Sequence, residues 1–348
     1  MKPLISNKRE FLARWLCDAG ILRLLERRAR AGRPGLLVLT YHRIGDPAGN
    51  SFYAPVVSAT PEAFRAQVGR LRDTFRVLTL DEAVALIDGG FRTREPSALV
   101  TFDDGTRDHV EVALPILKEL GVPATFFLST GLIDAPRLPW YDLIAYVINH
   151  TTVPVLRLDR PEPLEIELSR LGRAGAVARV VRACLDHDID VNGEQAFRDH
   201  LADRADVALD ADALGRSLFL SWDDARALLD AGMSVGSHAH SHRMLARLPE
   251  LDQRDELARS RAILEERLGR APAALAYPYG WPGAFDASTE RLAREAGYAL
   301  AFASVEGVNR PGTTDPFAVR RLGVGFTDSP VLLRARLALY AGTGKSVL

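Results

Sequence analysis

The sequence predicts an α/β protein built on a closed parallel barrel, and three observations carry that prediction. Apolar strand-like runs alternate with helix-like segments from Leu36 onward. The repeated strand–helix units are numerous enough to favour closure over an open sheet. Several of the strand-like runs end on a histidine, an aspartate pair or an arginine, as in a barrel whose functional face collects the carboxyl ends of its strands.

At 348 residues the chain is long enough for one large barrel or two ordinary domains. Its 47% hydrophobic and 26% charged residues are those of a soluble globular protein. The formal net charge of -1 gives no global attraction to nucleic acid or anionic lipid. Cys17 and Cys184 are far apart and form no C-x-x-C pair, which points to neither a disulfide framework nor a cysteine zinc site. Lys8, Arg9, Glu10 and Arg14 interrupt any apolar core for an export signal, and no run of 18 apolar residues exists. A cytoplasmic location is expected.

Residues 1–35 stand apart from the main domain, 36–348. Asn7 and Glu10 resemble a capping pair, and Phe11, Leu12, Trp15, Leu16, Ala19 and Leu22 recur at helical spacing. The segment holds nine Lys/Arg against three Asp/Glu. Two readings stand for this basic amphipathic helix. Residues 7–30 associate peripherally with the inner membrane surface, or the helix packs on the main domain with Arg27, Arg28, Arg30 and Arg33 solvated.

LLVLTY (36–41) reads as a buried strand. Thr60-Pro61-Glu62 starts a helix whose apolar face is Phe64, Val68 and Leu71. RVLTL (76–80) reads as a strand, with a helix from Asp81; SALVTF (97–102) is a strand, 108–120 a helix ending at Gly121, and PATFFLS (123–129) a strand. A helix at 222–231, the strand MSVGS (233–237) and a charged helix at about 250–268 follow. ALAY (274–277), a helix at about 287–296, ALAFAS (299–304), AVRRLGV (318–324) and a capped final helix complete the pattern. Residues 135–220 break the rhythm, being richer in Arg, Asp and Leu, and read as a helical insertion on the barrel.

The polar residues at the strand ends carry the chemistry. Five of the strand-like runs lead into His42, Asp103-Asp104-Gly105, His238, Pro278-Tyr279-Gly280 and Arg320-Arg321. His238 and His242 have the i, i+4 spacing that places two imidazoles on one side of a turn, a spacing suited to a divalent metal. His240, between them, is expected to point elsewhere or to support the two ligands from behind. One aspartate of the pair completes a His-His-carboxylate set while its neighbour accepts a proton from water. An Asp-Asp-Gly triplet alone is usually a turn, so the weight lies in its coincidence with the histidine cluster.

With these motifs the chain resembles the polysaccharide deacetylase family (carbohydrate esterase family 4) over roughly residues 36–325. The resemblance implies a deviant (β/α)7-type barrel. Thr101 to Gly105 match its T-F-D-D-G motif, which implies Asp103 as general base and Asp104 as metal ligand. His238 and His242 match H-[ST]-x-x-H as the other two ligands, with Ala239 where a hydroxyl residue is usual; Gly236 and Leu245 fit the wider pattern. The metal implied is Zn²⁺, with Co²⁺ or Ni²⁺ as alternatives. Pro278 and Tyr279 keep half of the R-x-P-[YF] motif, the Tyr279 N–H being implied in binding the oxyanion, while Ala276 stands at the arginine position. The wording resembles the exopolysaccharide-biosynthesis branch, in which a late arginine replaces it. Arg321 is preferred to Arg320; adjacent strand residues face opposite ways, so only one of the two can serve. No histidine follows His242 to serve as the usual general acid. His42 is the substitute, or else only hydrogen-bonds within the rim. His109 is expected on a helix surface.

The function expected is metal-dependent removal of an acetyl group from an N-acetylated sugar or glycan, in exopolysaccharide or glycoconjugate biosynthesis. An O-acetyl esterase or small-amide hydrolase on the same barrel is one alternative, and a catalytically weak glycan-binding module is another. Trp140, in LPWYD, is either a sugar-stacking platform or an anchor for the insertion.

Overall fold

A computed structural model describes residues 4–31, 35–49, 51–91, 93, 95–187 and 194–343. The contacts divide it into two compact units: Met1–Gly45 with Val57–Ile133 and Leu220–Leu348, and Asp46–Val56 with Asp134–Phe219. The second unit thus takes in the interval read as an insertion, together with a short stretch that the sequence reading left in the main domain.

The first unit is the barrel. Its parallel strands follow the spatial order Val319–Arg320, Leu300–Ala303, Ala274–Ala276, Ser234–Ser237, Thr125–Leu128, Ser97–Phe102, Leu36–Tyr41 and Leu322–Gly323. Arg76–Val77 pairs with the beginning of Ser97–Phe102. The two ends of this path are one segment of chain. Val319 and Arg320 pair with Phe302 and Ala303, then Leu322 and Gly323 pair with Leu39 and Thr40. The run read as one strand is therefore two short ones, divided at Arg321, and it closes the barrel.

Strand periodicity sorts the side chains. Leu37, Leu39 and Tyr41 face outward into a core with Phe64, Val68 and Leu71 of helix Pro61–Thr74. Leu36 and Val38 face inward, clustering with Leu99, Phe127, Ala274, Ala276, Phe302 and Val319. Gly236 belongs to the inward row: a Cβ there would lie 2.4 Å from Phe127 Cε1, so the ring fills the space that a side chain would need.

Helix starts follow their capping residues. Thr60 Oγ1 accepts from the Ala63 N–H, and Ser221 and Asp224 form a capping box on Trp222–Asp230. Thr79 does the same with Glu82, so Leu80–Ile87 begins where the sequence reading extended a strand. Gly121, at φ 64, ends Leu114–Leu120 in the left-handed conformation.

The N-terminal segment forms two helices, Leu4–Asp18 and Ile21–Ala31, separated at Gly20 with φ 71. Asn7 lies within the span of the first helix rather than ahead of it, and its side chain lies outside the described residues. Both helices pack on the last one, Pro330–Thr343, through Ala13 and Leu22 against Leu332, Ala335 and Ala338. Arg33 and the side chain of Arg30 lie outside the described residues. Among the described residues no helix is long and apolar enough to cross a membrane.

The second unit contains helices Trp140–His150, Arg173–Asp186, Glu194–Arg204 and Ala211–Leu218. It also holds an antiparallel hairpin, Val155–Leu158 with Leu164–Glu167, whose alternating burial gives it one covered face.

Candidate active site

The inward parity that fills the barrel also builds the site. Continuing the inward rows by two residues past Thr40, Thr101, Gly236 and Val319 reaches His42, Asp103, His238 and Arg321. The hydroxyls of Thr40 and Thr101 meet at 3.1 Å in the layer beneath. Four separate strands thereby deliver a carboxylate, two imidazoles and a guanidinium to one mouth.

Asp103 is 2% exposed and Arg321 1% exposed, and they form a bidentate pair. Arg321 Nη1 and Nη2 donate to Asp103 Oδ1 and Oδ2, each at 2.8 Å. Arg321 Nε also donates to the Ala303 carbonyl at 3.3 Å. Burial alone pushes the Asp103 carboxyl up, but the charges of Arg321 and then His238, with the Arg321 hydrogen bonds, hold it below the ordinary carboxylate value. Arg320 points outward and is exposed, so parity selects Arg321.

Asp104, His238 and His242 offer one ligand atom each, all within 4.8 Å of one another. Asp104 Oδ1 lies 3.4 Å from His238 Nε2 and 3.2 Å from His242 Nε2. His238 Nδ1 donates to the Ala276 carbonyl at 2.7 Å, which turns its Nε2 toward the cluster. Burial works against ionised Asp104, yet the two imidazoles hold its carboxyl well below the ordinary value. Two nitrogens and one carboxylate oxygen fit a divalent cation of borderline softness, with further coordination positions left for small ligands.

The backbone here is held in an unusual state. Five non-glycine residues have positive φ among those described, and four of them are Asp104 (78), Ala239 (57), His242 (59) and Tyr279 (62). Such conformations cost on the order of 1–3 kcal/mol each and persist where surroundings over-determine them. At Tyr279 the surrounding turn is three residues long, Gly280 N donating to the Pro278 carbonyl at 2.7 Å. In the histidine loop the support comes from Glu256, a residue that the sequence reading missed. Its Oε2 accepts from His240 N at 3.0 Å and Ser241 N at 2.8 Å, and its Oε1 accepts from the Ser241 hydroxyl. The signal was a carboxylate on the buried stripe Gln253, Glu256, Leu257, Ser260, Leu264 of helix Glu250–Leu268. This clamp braces the loop where Ala239 has no hydroxyl.

His240 turns away from the cluster, its Nδ1 meeting Thr130 Oγ1 at 2.8 Å. His42 lies within electrostatic reach of Asp103, Asp104, Arg321 and His238, and burial lowers its pKa below the ordinary imidazole value. His109 departs from expectation. It is fully buried, its ring meets those of Phe102 and Phe126, and Nε2 donates to the His42 carbonyl at 2.8 Å. The short π-helical turn His109–Ala113 directs it inward instead of onto a helix surface.

Of the two readings of Trp140, burial speaks against the sugar platform. Trp140 begins a helix of the second unit and is 5% exposed, with its ring edge-on to Tyr141, so it has no open face for a sugar. The exposed indole beside the Asp104, His238, His242 cluster is Trp281. Its ring is 5.0 Å from Tyr279, which is itself 5.1 Å from His242.

Comparison with known proteins bears on the family and the fold. The family model described as polysaccharide deacetylase matches residues 91–301. The Bacillus subtilis (strain 168) protein YxkH is 35% identical over 94 residues, which cover 27% of this chain and 31% of YxkH. The chain therefore spans under a third of the length of that curated relative. Among solved structures, Streptococcus pyogenes deacetylase PplD in complex with acetate has a TM-score of 0.57 at 18% identity, covering 87% of this chain and 97% of PplD. IcaB from Ammonifex degensii gives 0.57 at 22% identity, covering 89% and 98%. These two likenesses establish the barrel fold.

Proposed function

The chain belongs to the polysaccharide deacetylase family, and from that premise we propose that it is a metal-dependent hydrolase removing an acetyl group from an N-acetylated sugar or glycan in exopolysaccharide or glycoconjugate biosynthesis. The observation that carries this reading is the Asp104, His238, His242 cluster standing beside a buried, arginine-paired aspartate.

Asp104, His238 and His242 would hold the cation, Zn²⁺ by preference. When bound, it supplies Lewis-acid polarisation of the acetyl carbonyl and acidifies water. Asp103, kept ionised by Arg321, accepts the proton of the attacking water. The Tyr279 N–H, set by its strained turn beside Pro278, donates to the developing oxyanion. His42 delivers a proton to the departing amine. Trp281 offers the sugar an apolar face. The test is acetate release from a panel of N-acetylated and O-acetylated glycans. Activity should vanish with a chelator and return with Zn²⁺ or Co²⁺. Undiminished turnover after exhaustive chelation refutes metal dependence.

The role of His42 has a definite pH sign. Burial, the largest influence, lowers its pKa below 6.5, and the nearby Asp104 and Asp103 charges only partly oppose this. The protonated form is therefore lost as pH rises through a value below 6.5, and turnover that needs it falls in the same direction. The pH–rate profile of His42→Asn should lack this descending limb. If the limb persists, Asp103 itself returns the proton to the amine.

Trp281→Ala should raise KM roughly 10-fold with kcat nearly constant, through loss of stacking area. An unchanged KM would remove Trp281 from the substrate site.

The absence of a histidine after His242 favours one second reading, an O-acetyl esterase. An alkoxide leaves with less help from an acid than an amine does, and the same glycan panel separates the two.

A further inference from the structure

Away from the barrel mouth, the N-terminal helix pair carries an apolar face that no other part of the described chain covers. Ala13 and Leu22 are fully buried against the last helix. On the opposite side Phe11 is 73% exposed, Trp15 54% and Leu24 65%. At 100° per residue, Lys8, Phe11, Leu12 and Trp15 share one side of Leu4–Asp18, while Leu24, Arg27 and Arg28 share the side of Ile21–Ala31 away from Leu22. Because both helices rest on Pro330–Thr343 through their buried sides, both open sides turn away from it.

The charges around this face are sorted by sign. Lys8, Arg23, Arg27 and Arg28 are exposed. Two of the nearby acids are engaged from within the fold: Glu10 accepts from Arg14 at 2.9 Å and from Ser329, and Glu26 accepts from Arg334 Nε at 2.8 Å. Asp18 is the remaining exposed acid. The result is an aromatic apolar face with cationic margins on a protein whose net charge is only -1.

We propose that the outer face of residues 8–28 docks peripherally on a lipid bilayer with anionic headgroups. Phe11, Trp15 and Leu24 enter the boundary between headgroups and acyl chains, while Lys8, Arg23, Arg27 and Arg28 meet lipid phosphates. A second copy of this chain fits the face poorly, because it would bring like cations together. The proposal concerns where the protein works, and stands independently of the chemistry assigned to the barrel mouth.

Sedimentation of the full chain with vesicles tests it. Binding to phosphatidylglycerol-containing vesicles should exceed binding to pure phosphatidylcholine vesicles ~100-fold and weaken as salt is raised. Arg23→Glu with Arg27→Glu and Arg28→Glu should lower it ~100-fold. Phe11→Ser with Trp15→Ser should lower it ~10-fold or more. All five positions are exposed, so these variants should keep the wild-type circular dichroism and the wild-type rate on a soluble acetylated substrate. No vesicle binding, equal binding to both lipids, or variants that bind like wild type would overturn the proposal. So would a wild-type dimer that Phe11→Ser with Trp15→Ser converts to monomers, because the face would then join two copies.

Discussion

Asp103→Asn should lower kcat for acetate release ~10²–10⁴-fold while leaving Zn²⁺ affinity unchanged. The separation is possible because adjacent residues of T-F-D-D-G face different partners. Asp103 continues the inward row of Ser97–Phe102 and meets Arg321, whereas Asp104, at φ 78, is swung toward His238 and His242. Asparagine keeps the volume and one acceptor oxygen but cannot take a proton from water at neutral pH. It also leaves the Arg321 guanidinium buried beside a neutral group, so some stability is lost along with rate. Titration calorimetry with Zn²⁺ and a thermal melt separate these effects from the catalytic one. A wild-type rate in Asp103→Asn would show that another group activates the water. A lost metal site would show that the two aspartates act as one unit.

Much of this site was legible because strand and barrel geometry are periodic. Once LLVLTY, SALVTF, MSVGS and ALAY read as parallel strands, their carboxyl ends had to share a mouth, and the residues just beyond them had to meet there. Parity likewise meant that only one of Arg320 and Arg321 could serve, and the inward-facing Val319 makes it Arg321. What the sequence hid depends on backbone states and distant packing. Glu256 reads as one charge among many in ELDQRDELARSRAILEERL until the helix is seen to turn it onto the histidine loop. His109 follows the D-D-G motif like a surface helix residue, and only the π-helical turn sends it to the His42 carbonyl. Aromatic character drew attention to Trp140, whereas exposure, which a sequence does not contain, singles out Trp281. The division of AVRRLGV into two strands was hidden as well, because it arises from one segment pairing with both ends of the sheet.

Arg321→Ala should cost stability and rate together, and its pH dependence distinguishes a positioning role from a packing one. The pair with Asp103 is almost wholly buried, so removing the guanidinium strands a carboxylate in a low-dielectric interior at a cost of about 3–5 kcal/mol. The protein relieves that cost by keeping Asp103 protonated to higher pH. Burial, the strongest influence on this carboxyl, pushes its pKa up, and the charge of Arg321 is the largest influence opposing it. Without Arg321 the pKa must rise. A base is useful only above its pKa, so the ascending limb of the pH–rate profile moves upward, and activity at neutral pH falls ~10²-fold through lost alignment and lost ionisation. Arg321→Lys keeps the charge but lacks the planar two-donor fork, so it should hold the limb near its wild-type position while recovering only part of the rate. If Arg321→Ala is less stable yet titrates like wild type, the guanidinium only supports the closing strand. If the limb moves and lysine restores it, the arginine that closes the barrel also sets the ionisation of the base across 218 residues of sequence.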